Sequence, residues 1–454
     1  MNLSERQKQI LKTMIVTIDG PAGSGKSTTA SLLAKRLGMI CLDTGAMYRA
    51  VTCSVLENGI DPGNEPAVTE LASNAGLELR IVDGIPQFFL DGRETESRIR
   101  TPEVSGAVSP VSRYRGVREA MVRIQRRIGK KGGIVAEGRD TGTTVFPFAH
   151  VKIFLVADIE ARASRRVKQM RAAGIEQDLC RTMENIEERD RIDSGREHSP
   201  LRKPAGAIPV DTSRITIEQQ VGIIEKAVIS EAERLDALTV RAGEKNPMTV
   251  KSAYWTVSRA IVLLFFRLLY GMRVIGGENL NFRENFIFTS NHISYFDPPL
   301  VGCAVNREIW FMSKSELFRN RFFAWLITKY HSIPVRRGEA DRKSIKLISE
   351  KLNQGYSILM FPEGTRSRTG RIGDLKQGFG MIAFNTGKSV CPILISGAND
   401  LAGCFLRRRR LDVHIGMPIR INQGIDAEDR RNDYRTLAHM VREEMEMLAE
   451  ASNS

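Results

Sequence analysis

The sequence lacks the features that mark several large protein classes. Its six cysteines are scattered over 454 residues without a CxxC pair, which argues against a zinc site or a disulfide framework and fits a reducing cytosol. The first residues contain no apolar core of the kind a secretory signal needs. A strongly apolar stretch at 260–272 is interrupted by Arg267 and is shorter than the ~20 residues that span a bilayer. We therefore expect neither a secreted protein nor a polytopic membrane protein.

The chain is short of acidic residues. It carries 67 Lys and Arg against 53 Asp and Glu, a formal net charge of +14. The excess is +3 in residues 1–240 and +11 in residues 241–454. Such a balance favours a polyanionic partner, which can be a nucleotide, a nucleic acid or an anionic membrane. The apolar fraction of 42% is that of a globular protein, and the length predicts two or more domains.

Strands and helices alternate in both halves. In the first half, apolar strand patterns at 14–19, 133–136 and 151–157 and a helical pattern at 26–37 predict a parallel sheet covered by helices. Residues 77–91 predict an inserted hairpin. A polar stretch with Gly and Pro separates the halves, so we predict domains at 1–238 and 251–454 joined by a linker at 239–250. The second half is also predicted to be α/β, with strands at 286–290, 309–312, 357–361, 390–396 and 412–415.

A phosphate-binding motif follows the first strand. Residues 20–27 read GPAGSGKS and fit GxxxxGK[ST], which here stands between a strand and a helix as the motif requires. Backbone N–H groups and the helix N-terminus can bind phosphate oxygens, Lys26 can reach the β- and γ-phosphates, and Ser27 can ligate Mg²⁺. The predicted ATP-binding residues are Gly20, Gly23, Gly25, Lys26, Ser27 and Thr28.

Four further segments are specific to one enzyme family. They read DTGAMYR at 43–49, EGRDTGTTVFP at 137–147, VKIFLVA at 151–157 and ERDRID at 188–193. From residue 14 to residue 230 the chain resembles bacterial cytidylate (CMP) kinase. The resemblance implies a P-loop nucleoside-monophosphate kinase fold, with a parallel sheet, helices on both faces and a small inserted β-hairpin region. It also implies Mg²⁺- and ATP-dependent conversion of CMP or dCMP to the diphosphate.

The resemblance also implies roles for individual side chains. Residues expected to bind the CMP phosphate are Arg49, Arg139 and Arg189. Residues expected to recognise the cytosine edge are Thr44, Arg118 and Asp140, and those at the sugar are Ser109 and Asp193. Arg166 and Arg196 are expected to close over the transferred phosphoryl group. One departure follows residue 201, where PAGA at 204–207 replaces the family's Ala-Asp-Ala element and leaves local packing or sugar contacts in question.

A His–Asp pair stands in the second half. Residues 291–297 read NHISYFD, which places His292 and Asp297 five apart after a predicted strand. A nearby carboxylate fixes the tautomer of an imidazole and raises its basicity. The pair alone leaves two interpretations open, a general base or a structural hydrogen bond.

Three other segments accompany this pair. They are FPEGTRSR at 361–368, IPVRR at 333–337 and VCPI at 390–393. Over residues 254–419 the chain resembles the 1-acyl-glycerol-3-phosphate acyltransferase family, which implies a glycerolipid acyltransferase domain without a metal or cofactor. His292, oriented by Asp297, would deprotonate lysophosphatidic acid for attack on acyl-CoA or acyl-carrier protein. The glycerol phosphate would contact Arg336 (or Arg337), Glu363, Gly364, Thr365 and Arg366.

A membrane surface is the expected macromolecular partner of this half. The apolar segment 260–272, the mixed aromatic and basic segment 317–326 and the four arginines 407–410 suit an anionic interface, although core packing explains the first two segments equally well. We expect a cytoplasmic protein at the inner face of the cell membrane and no nucleic-acid partner. The alternatives are a CMP kinase with a non-catalytic membrane-docking domain, or acyl transfer to another lysophospholipid.

Overall fold

The computed structural model forms two compact units, Met1–Asp236 and Ala237–Ser454. It describes residues 3–82, 85–130, 132–172, 174, 176–196, 199–245, 253–280, 284–335, 342–367, 370–421 and 430–453. Each unit is built on its own sheet. The α/β architecture predicted for both halves is confirmed.

The first unit contains a parallel sheet in the order β2-β6-β1-β7-β8. Its strands are β1 (Ile15–Asp19), β2 (Ile40–Asp43), β6 (Ile134–Gly138), β7 (Val151–Val156) and β8 (Ile208–Asp211). β1 and β6 are almost completely buried, as expected for strands with helices on both faces. Because all five strands run the same way, their carboxyl ends share one edge, where ligands of such sheets bind.

Helices of the first unit cover this sheet. They are α1 (Glu5–Leu11), α2 (Lys26–Leu37), α3 (Thr44–Glu57), α4 (Glu65–Asn74), α5 (Pro102–Arg113), α6 (Arg115–Gly129), α7 (Ile159–Ala172), α8 (Leu179–Gly195) and α9 (Ile217–Lys245). The predicted insert is a separate antiparallel sheet of β3 (Leu77–Val82), β4 (Ile85–Leu90) and β5 (Arg93–Glu94). α9 continues past 238, so the first part of the expected linker is helical, and residues 246–250 lie outside the described residues.

The second unit has a mixed sheet in the order β12-β11-β13-β10-β14-β15-β9; among these described strand pairs, β14–β15 is antiparallel and the others are parallel. Its strands are β9 (Arg273–Ile275), β10 (Ile287–Ser290), β11 (Ile309–Lys314), β12 (Ser332–Val335), β13 (Ser357–Met360), β14 (Val390–Ser396) and β15 (Asp412–Ile415). Its helices are α10 (Ala253–Tyr270), α11 (Asp297–Ala304), α12 (Arg321–Lys329), α13 (Arg342–Asn353), α14 (Gly378–Thr386), α15 (Leu401–Phe405) and α16 (Arg430–Asn453). Phe286 and Phe288 are fully buried at its centre.

Residues 260–270 of the apolar stretch form the second part of α10, and residues 271 and 272 follow the helix. Among the described residues, no helix combines the length and the hydropathy that crossing a bilayer requires. α10 buries Trp255 and Phe266 in the core and leaves other large apolar side chains exposed. It is therefore partly a core helix and partly an apolar surface.

Candidate active sites

The phosphate loop, residues 20–25, connects β1 to α2 at the carboxyl edge of the first sheet. Gly20 has φ +154°, and a Cβ there would come within 2.5 Å of the Leu155 carbonyl oxygen. Only glycine therefore fits where the loop leaves the sheet. The other predicted ATP-binding residues, Gly23, Gly25, Lys26, Ser27 and Thr28, line the adjoining cleft.

Lys26 and Glu137 are two buried ionisable residues that line this cleft. Both are buried, and burial lowers the pKa of Lys26 and raises that of Glu137, since each charged form loses hydration. Lys26 Nζ donates to the Pro21 carbonyl at 2.7 Å, and the Ser27 hydroxyl donates to Glu137 Oε1 at 2.6 Å. A nucleotide phosphate would give Lys26 an anionic partner in place of a backbone carbonyl.

The same pair of oxygens fits a magnesium ion. Mg²⁺ prefers hard oxygen ligands and commonly binds through one or two protein groups together with substrate phosphates. The Ser27 hydroxyl and the Glu137 carboxylate lie together at the phosphate loop. Ser27 was predicted as a ligand, and the structure adds Glu137 as its neighbour.

Asp19, the last residue of β1, is hydrogen-bonded to the segment that follows β6. Its carboxylate is fully buried and accepts from the Thr141 N–H and hydroxyl, each at 2.8 Å, and from the Gly142 N–H at 2.7 Å. Burial nevertheless raises its pKa to about 6. Asp19 thus joins the end of β1 to the segment after β6.

Arginines from five parts of the chain converge on the cleft, whose volume is about 1110 Å³. They come from α3, α6, the end of β6, α7 and α8. Burial and the neighbouring Arg139 lower the pKa of Arg189. Concentrated positive charge of this kind favours a ligand that carries several negative charges. The predicted CMP-site and phosphoryl-site residues in the lining are Thr44, Arg49, Ser109, Arg118, Arg139, Asp140, Arg166, Arg189, Asp193 and Arg196.

One part of the cleft lining is a buried, hydrogen-bonded polar group. Arg118 and Asp140 form a buried ion pair of 2.6 Å, and Arg118 also donates to the Ser112 carbonyl at 3.1 Å. The Arg118 guanidinium lies 5.3 Å from the Tyr48 ring centroid. The Thr44 hydroxyl donates to the Glu137 carbonyl at 2.7 Å. A pre-organised donor and acceptor set of this kind can read the edge of a planar base.

Asp193 organises the arginines in the middle of the cleft. Its carboxylate binds Arg139 Nε at 2.7 Å and Arg196 Nη2 at 2.5 Å. Arg139 also donates to the Gly20 carbonyl at 2.7 Å. Asp193 therefore holds two arginines beside the phosphate loop, although the sequence resemblance gave it only a sugar-binding role.

The second candidate site lies at the carboxyl ends of β10 and β13, which are parallel neighbours. His292 Nδ1 is 2.7 Å from Asp297 Oδ2. The same oxygen accepts from the Ile293 N–H at 2.7 Å and the Ser294 N–H at 2.8 Å. Asp297 is fully buried at the first turn of α11, and these hydrogen bonds fix its position, so that His292 Nε2 remains for a substrate.

The turn after β13 encloses the histidine. The Phe361 ring stacks on the imidazole with centroids 4.3 Å apart. The His292 N–H donates to Glu363 Oε1 at 3.1 Å, and the Ser367 N–H donates to the His292 carbonyl at 2.7 Å. These bonds hold residues 361–367 against the imidazole.

Glu363 faces inward. Its side chain is buried, and burial raises its pKa. A carboxylate there would repel a phosphate, so its contact with the His292 backbone favours an orienting role over direct substrate contact. Gly364 forms the bend with φ +72°.

Arg366 supplies a positive charge to this turn. Its guanidinium carbon lies 3.4 Å from the Tyr295 ring centroid, and both side chains are exposed. Thr365 is also exposed. Arg336, the remaining predicted contact, and Arg337 lie outside the described residues.

Sequence reasoning missed Asp19 and Glu137 as site residues. Each is an acidic residue at the carboxyl end of a buried parallel strand, and that position is the signal that could have found them. It also missed Arg162 and Asp190, whose contact with the phosphate loop no sequence pattern indicates.

Comparison with known proteins relates each unit to a protein family. The cytidylate kinase family model matches residues 16–230, and an acyltransferase family model matches residues 271–396. The chain is 46% identical to a cytidylate kinase of Enterococcus faecalis and 43% identical to one of Caldicellulosiruptor bescii. These matches cover 47% and 46% of this chain and 94% and 92% of the relatives.

A solved structure resembles the second unit. It is the 1-acyl-sn-glycerophosphate (LPA) acyltransferase of Thermotoga maritima, with 27% identity and a TM-score of 0.36 over 43% of this chain and 79% of that protein. By the family models and the curated relatives, the chain belongs to the cytidylate kinase family through its N-terminal half and carries an acyltransferase domain in its C-terminal half.

Proposed function

We propose that the protein is a bifunctional transferase. Its first unit would phosphorylate CMP and dCMP with ATP, and its second would transfer an acyl group from acyl-CoA or acyl-carrier protein to 1-acyl-glycerol-3-phosphate. The observation that supports the proposal is that each unit brings candidate reacting groups together at the carboxyl edge of its own sheet. The proposed domains are 1–238 and 251–454, with the remaining residues as a linker.

In the kinase unit, cytosine would bind at the Arg118–Asp140 pair with Thr44. The CMP phosphate would lie among Arg49, Arg139 and Arg189, with the sugar near Ser109 and Asp193. A CMP phosphate oxygen would attack the γ-phosphorus as the bond to ADP breaks. Arg166, Arg196 and Lys26 would neutralise the charge on the transferred group. Mg²⁺ held by Ser27 and Glu137 would supply further charge neutralisation.

In the acyltransferase unit, His292 Nε2 would accept the proton of the acceptor hydroxyl. The oxygen would attack the thioester carbonyl, and the departing thiolate would take up that proton. Asp297 would stabilise the imidazolium formed between these steps. Arg366, with Thr365 and Gly364, would bind the glycerol phosphate, and Glu363 would hold the His292 backbone.

We also propose that α10 and α15 dock this unit on an anionic membrane. Exposed apolar residues recur every three or four positions along α10 and continue at Phe405 and Leu406. The exposed arginines 407–410 follow directly, and Arg407 Nη2 donates to the Leu268 carbonyl on α10 at 2.9 Å. Apolar and basic groups on one surface match a bilayer with anionic headgroups. The apolar stripe of α10 consists of Tyr254, Val257, Ile261, Leu264, Phe265, Leu268 and Leu269.

Substrate panels test the two activities. Purified full-length protein with MgATP should phosphorylate CMP and dCMP at least tenfold faster than UMP or AMP, measured as kcat/KM. With acyl-CoA and acyl-carrier protein as alternative donors, it should acylate lysophosphatidic acid in preference to lysophosphatidylethanolamine and lysophosphatidylcholine. A preference for another lysophospholipid would overturn the acceptor assignment. If no acceptor were acylated, the acyltransferase proposal would fail and only the membrane-docking role of this unit would remain.

Sedimentation with vesicles tests membrane docking. The protein should bind vesicles that contain phosphatidylglycerol and should bind pure phosphatidylcholine vesicles much more weakly. Replacing Leu264 and Leu268 by Ser should weaken this binding, whereas Ser substitution of the exposed Ile81, on the inserted sheet of the first unit, should not. Equal binding to both vesicle types would contradict the electrostatic part of the proposal.

A further inference from the structure

An ion pair outside the proposed chemistry holds the phosphate loop against α7 and α8. Arg162 on α7 is paired with Asp190 on α8. Asp190 Oδ1 accepts from the Ala22 N–H at 3.0 Å, and Arg162 Nη1 donates to the Ala22 carbonyl at 3.2 Å. The pair therefore binds both backbone groups of one residue of the loop.

This junction is close-packed. Arg162 is buried and also donates from Nε to the Ala157 carbonyl at 3.0 Å, just beyond β7. A Cβ on Gly23 would lie 3.1 Å from the Arg162 Cβ. Ala22 packs against Ala163 and Ile186 of the two helices. A shift of the loop relative to these helices would break several contacts together.

A second connection lies two residues further along the loop. Arg165 binds Thr212, donating to its hydroxyl at 3.1 Å and also to its carbonyl. The Thr212 hydroxyl is 3.3 Å from the Ser24 carbonyl, to which it can donate. Ala22 and Ser24 are thus both linked to arginines on one face of α7.

The same two helices carry arginines that face the cleft. Arg166 lies one turn after Arg162, and Arg189 directly precedes Asp190. Both line the cleft, and neither has an ion-pair partner among the residues described. A helix moves largely as a rigid unit, so fixing Arg162 and Asp190 also fixes where Arg166 and Arg189 point.

We propose that Arg162 and Asp190 are positioning residues. They fix the position of the phosphate loop relative to the arginines with which α7 and α8 line the cleft. The loop conformation that binds ATP would then be the one that brings Arg166 to the transferred phosphoryl group and Arg189 to the CMP phosphate. This inference rests on the proposed CMP kinase activity. The pair would act on kcat through Arg166 and on the KM for CMP through Arg189, because Arg162 and Asp190 do not themselves line the cleft.

A double-mutant cycle on the full-length protein tests this. Asp190→Ala should lower kcat for CMP phosphorylation at least tenfold, through Arg166, and raise the KM for CMP, through Arg189. Asp190→Asn keeps an acceptor for the Ala22 N–H and should recover part of the lost kcat. When Arg166→Met is already present, Asp190→Ala should lower kcat by less than threefold, because the arginine it positions is gone. Arg191→Ala is the matched control, since Arg191 is the next residue on α8 and its pair with Glu188 is exposed.

These measurements distinguish a failure of the positioning role from a failure of the proposed CMP kinase activity. If the wild type does not phosphorylate CMP, the proposed function fails. If it does, and the Asp190→Ala and Arg166→Met effects on kcat multiply, the positioning role is refuted. Should Asp190→Ala not fold, as judged by circular dichroism, Asp190→Asn alone and combined with Arg166→Met gives the same comparison.

Discussion

Substitution of Asp297 gives two different results according to the residue introduced. The carboxylate accepts three hydrogen bonds through Oδ2, from His292 and two backbone N–H groups. Oδ1 is buried and has no hydrogen-bond partner among the described residues. In Asp297→Asn, the backbone donors require the amide oxygen at the Oδ2 position, which leaves the NH₂ group buried at the Oδ1 position.

The hydrogen bonds of Asp297 determine how much stability and how much acyl-transfer activity each variant should lose. A buried unsatisfied amide costs about 1–3 kcal/mol of stability. The amide oxygen still accepts the His292 Nδ1 proton, so the productive tautomer survives and only the charge is lost. Replacing a charge-assisted hydrogen bond by a neutral one removes about 1–1.5 kcal/mol, which predicts a fall in acyl-transfer kcat of roughly tenfold. Asp297→Ala removes orientation as well and should lower kcat by about 10²–10⁴.

Acyl transfer is measured as thiol release from acyl-CoA with lysophosphatidic acid as acceptor, together with urea unfolding of each variant. Asp412→Asn is the control, because Asp412 is an equally buried aspartate of the same unit that pairs with Arg273 rather than with a histidine. It should lower stability and leave kcat within threefold of the wild type. A wild-type kcat in Asp297→Ala, or a larger loss in Asp297→Asn than in Asp297→Ala, would refute the orienting role.

Three further predictions concern other positions. Gly20→Ala places a methyl group 2.5 Å from a backbone oxygen of β7 and should abolish kinase activity, whereas Gly38→Ala, also at positive φ but facing open space, should cost only about 1–2 kcal/mol. Burial raises the pKa of Asp19 from 3.8 to about 6, so the native state holds this proton more tightly than the unfolded chain. The wild type should therefore lose up to about 3 kcal/mol relative to Asp19→Asn between pH 4 and pH 6. Tyr295→Ala should raise the KM for lysophosphatidic acid about threefold to tenfold by freeing Arg366, while Tyr295→Phe keeps the stacking and the KM.

Each of these has a direct check. Steady-state kinetics of Gly20→Ala and Gly38→Ala compare the two glycines, and equal effects on kinase activity would contradict the steric argument. Urea unfolding of the wild type and of Asp19→Asn is measured at several pH values, and the unfolding transition that CMP shifts is the one compared. A stability difference that does not change with pH would rule out the raised pKa of Asp19. An unchanged KM in Tyr295→Ala would show that Arg366 needs no aromatic support.

The sequence was sufficient for the architecture because buried parallel strands are continuous apolar runs. β1, β7, β14 and β15 were found close to their true bounds. β9 and β12 were missed, since each is short and mixes basic or polar residues into the strand. Helix α9 was expected to end near 238 and runs on to Lys245, because nothing in that stretch forces an end before Pro247.

Some of the site residues could likewise be predicted from the sequence, and others could not. Motif positions such as Lys26 and His292 were identifiable because their chemistry depends on local spacing. Asp19, Glu137 and the Arg162–Asp190 pair act through contacts between elements far apart in the chain. Such contacts depend on the register between packed elements, which a single sequence does not reveal.

The central claim is that one chain carries two independent catalytic sites, and crossed variants of the full-length protein test it most directly. Lys26→Met should lower CMP phosphorylation by at least 10²-fold and leave acyl transfer to lysophosphatidic acid unchanged. His292→Ala should do the reverse. Loss of both activities in either folded variant, or survival of either activity when its own site is altered, would contradict the account.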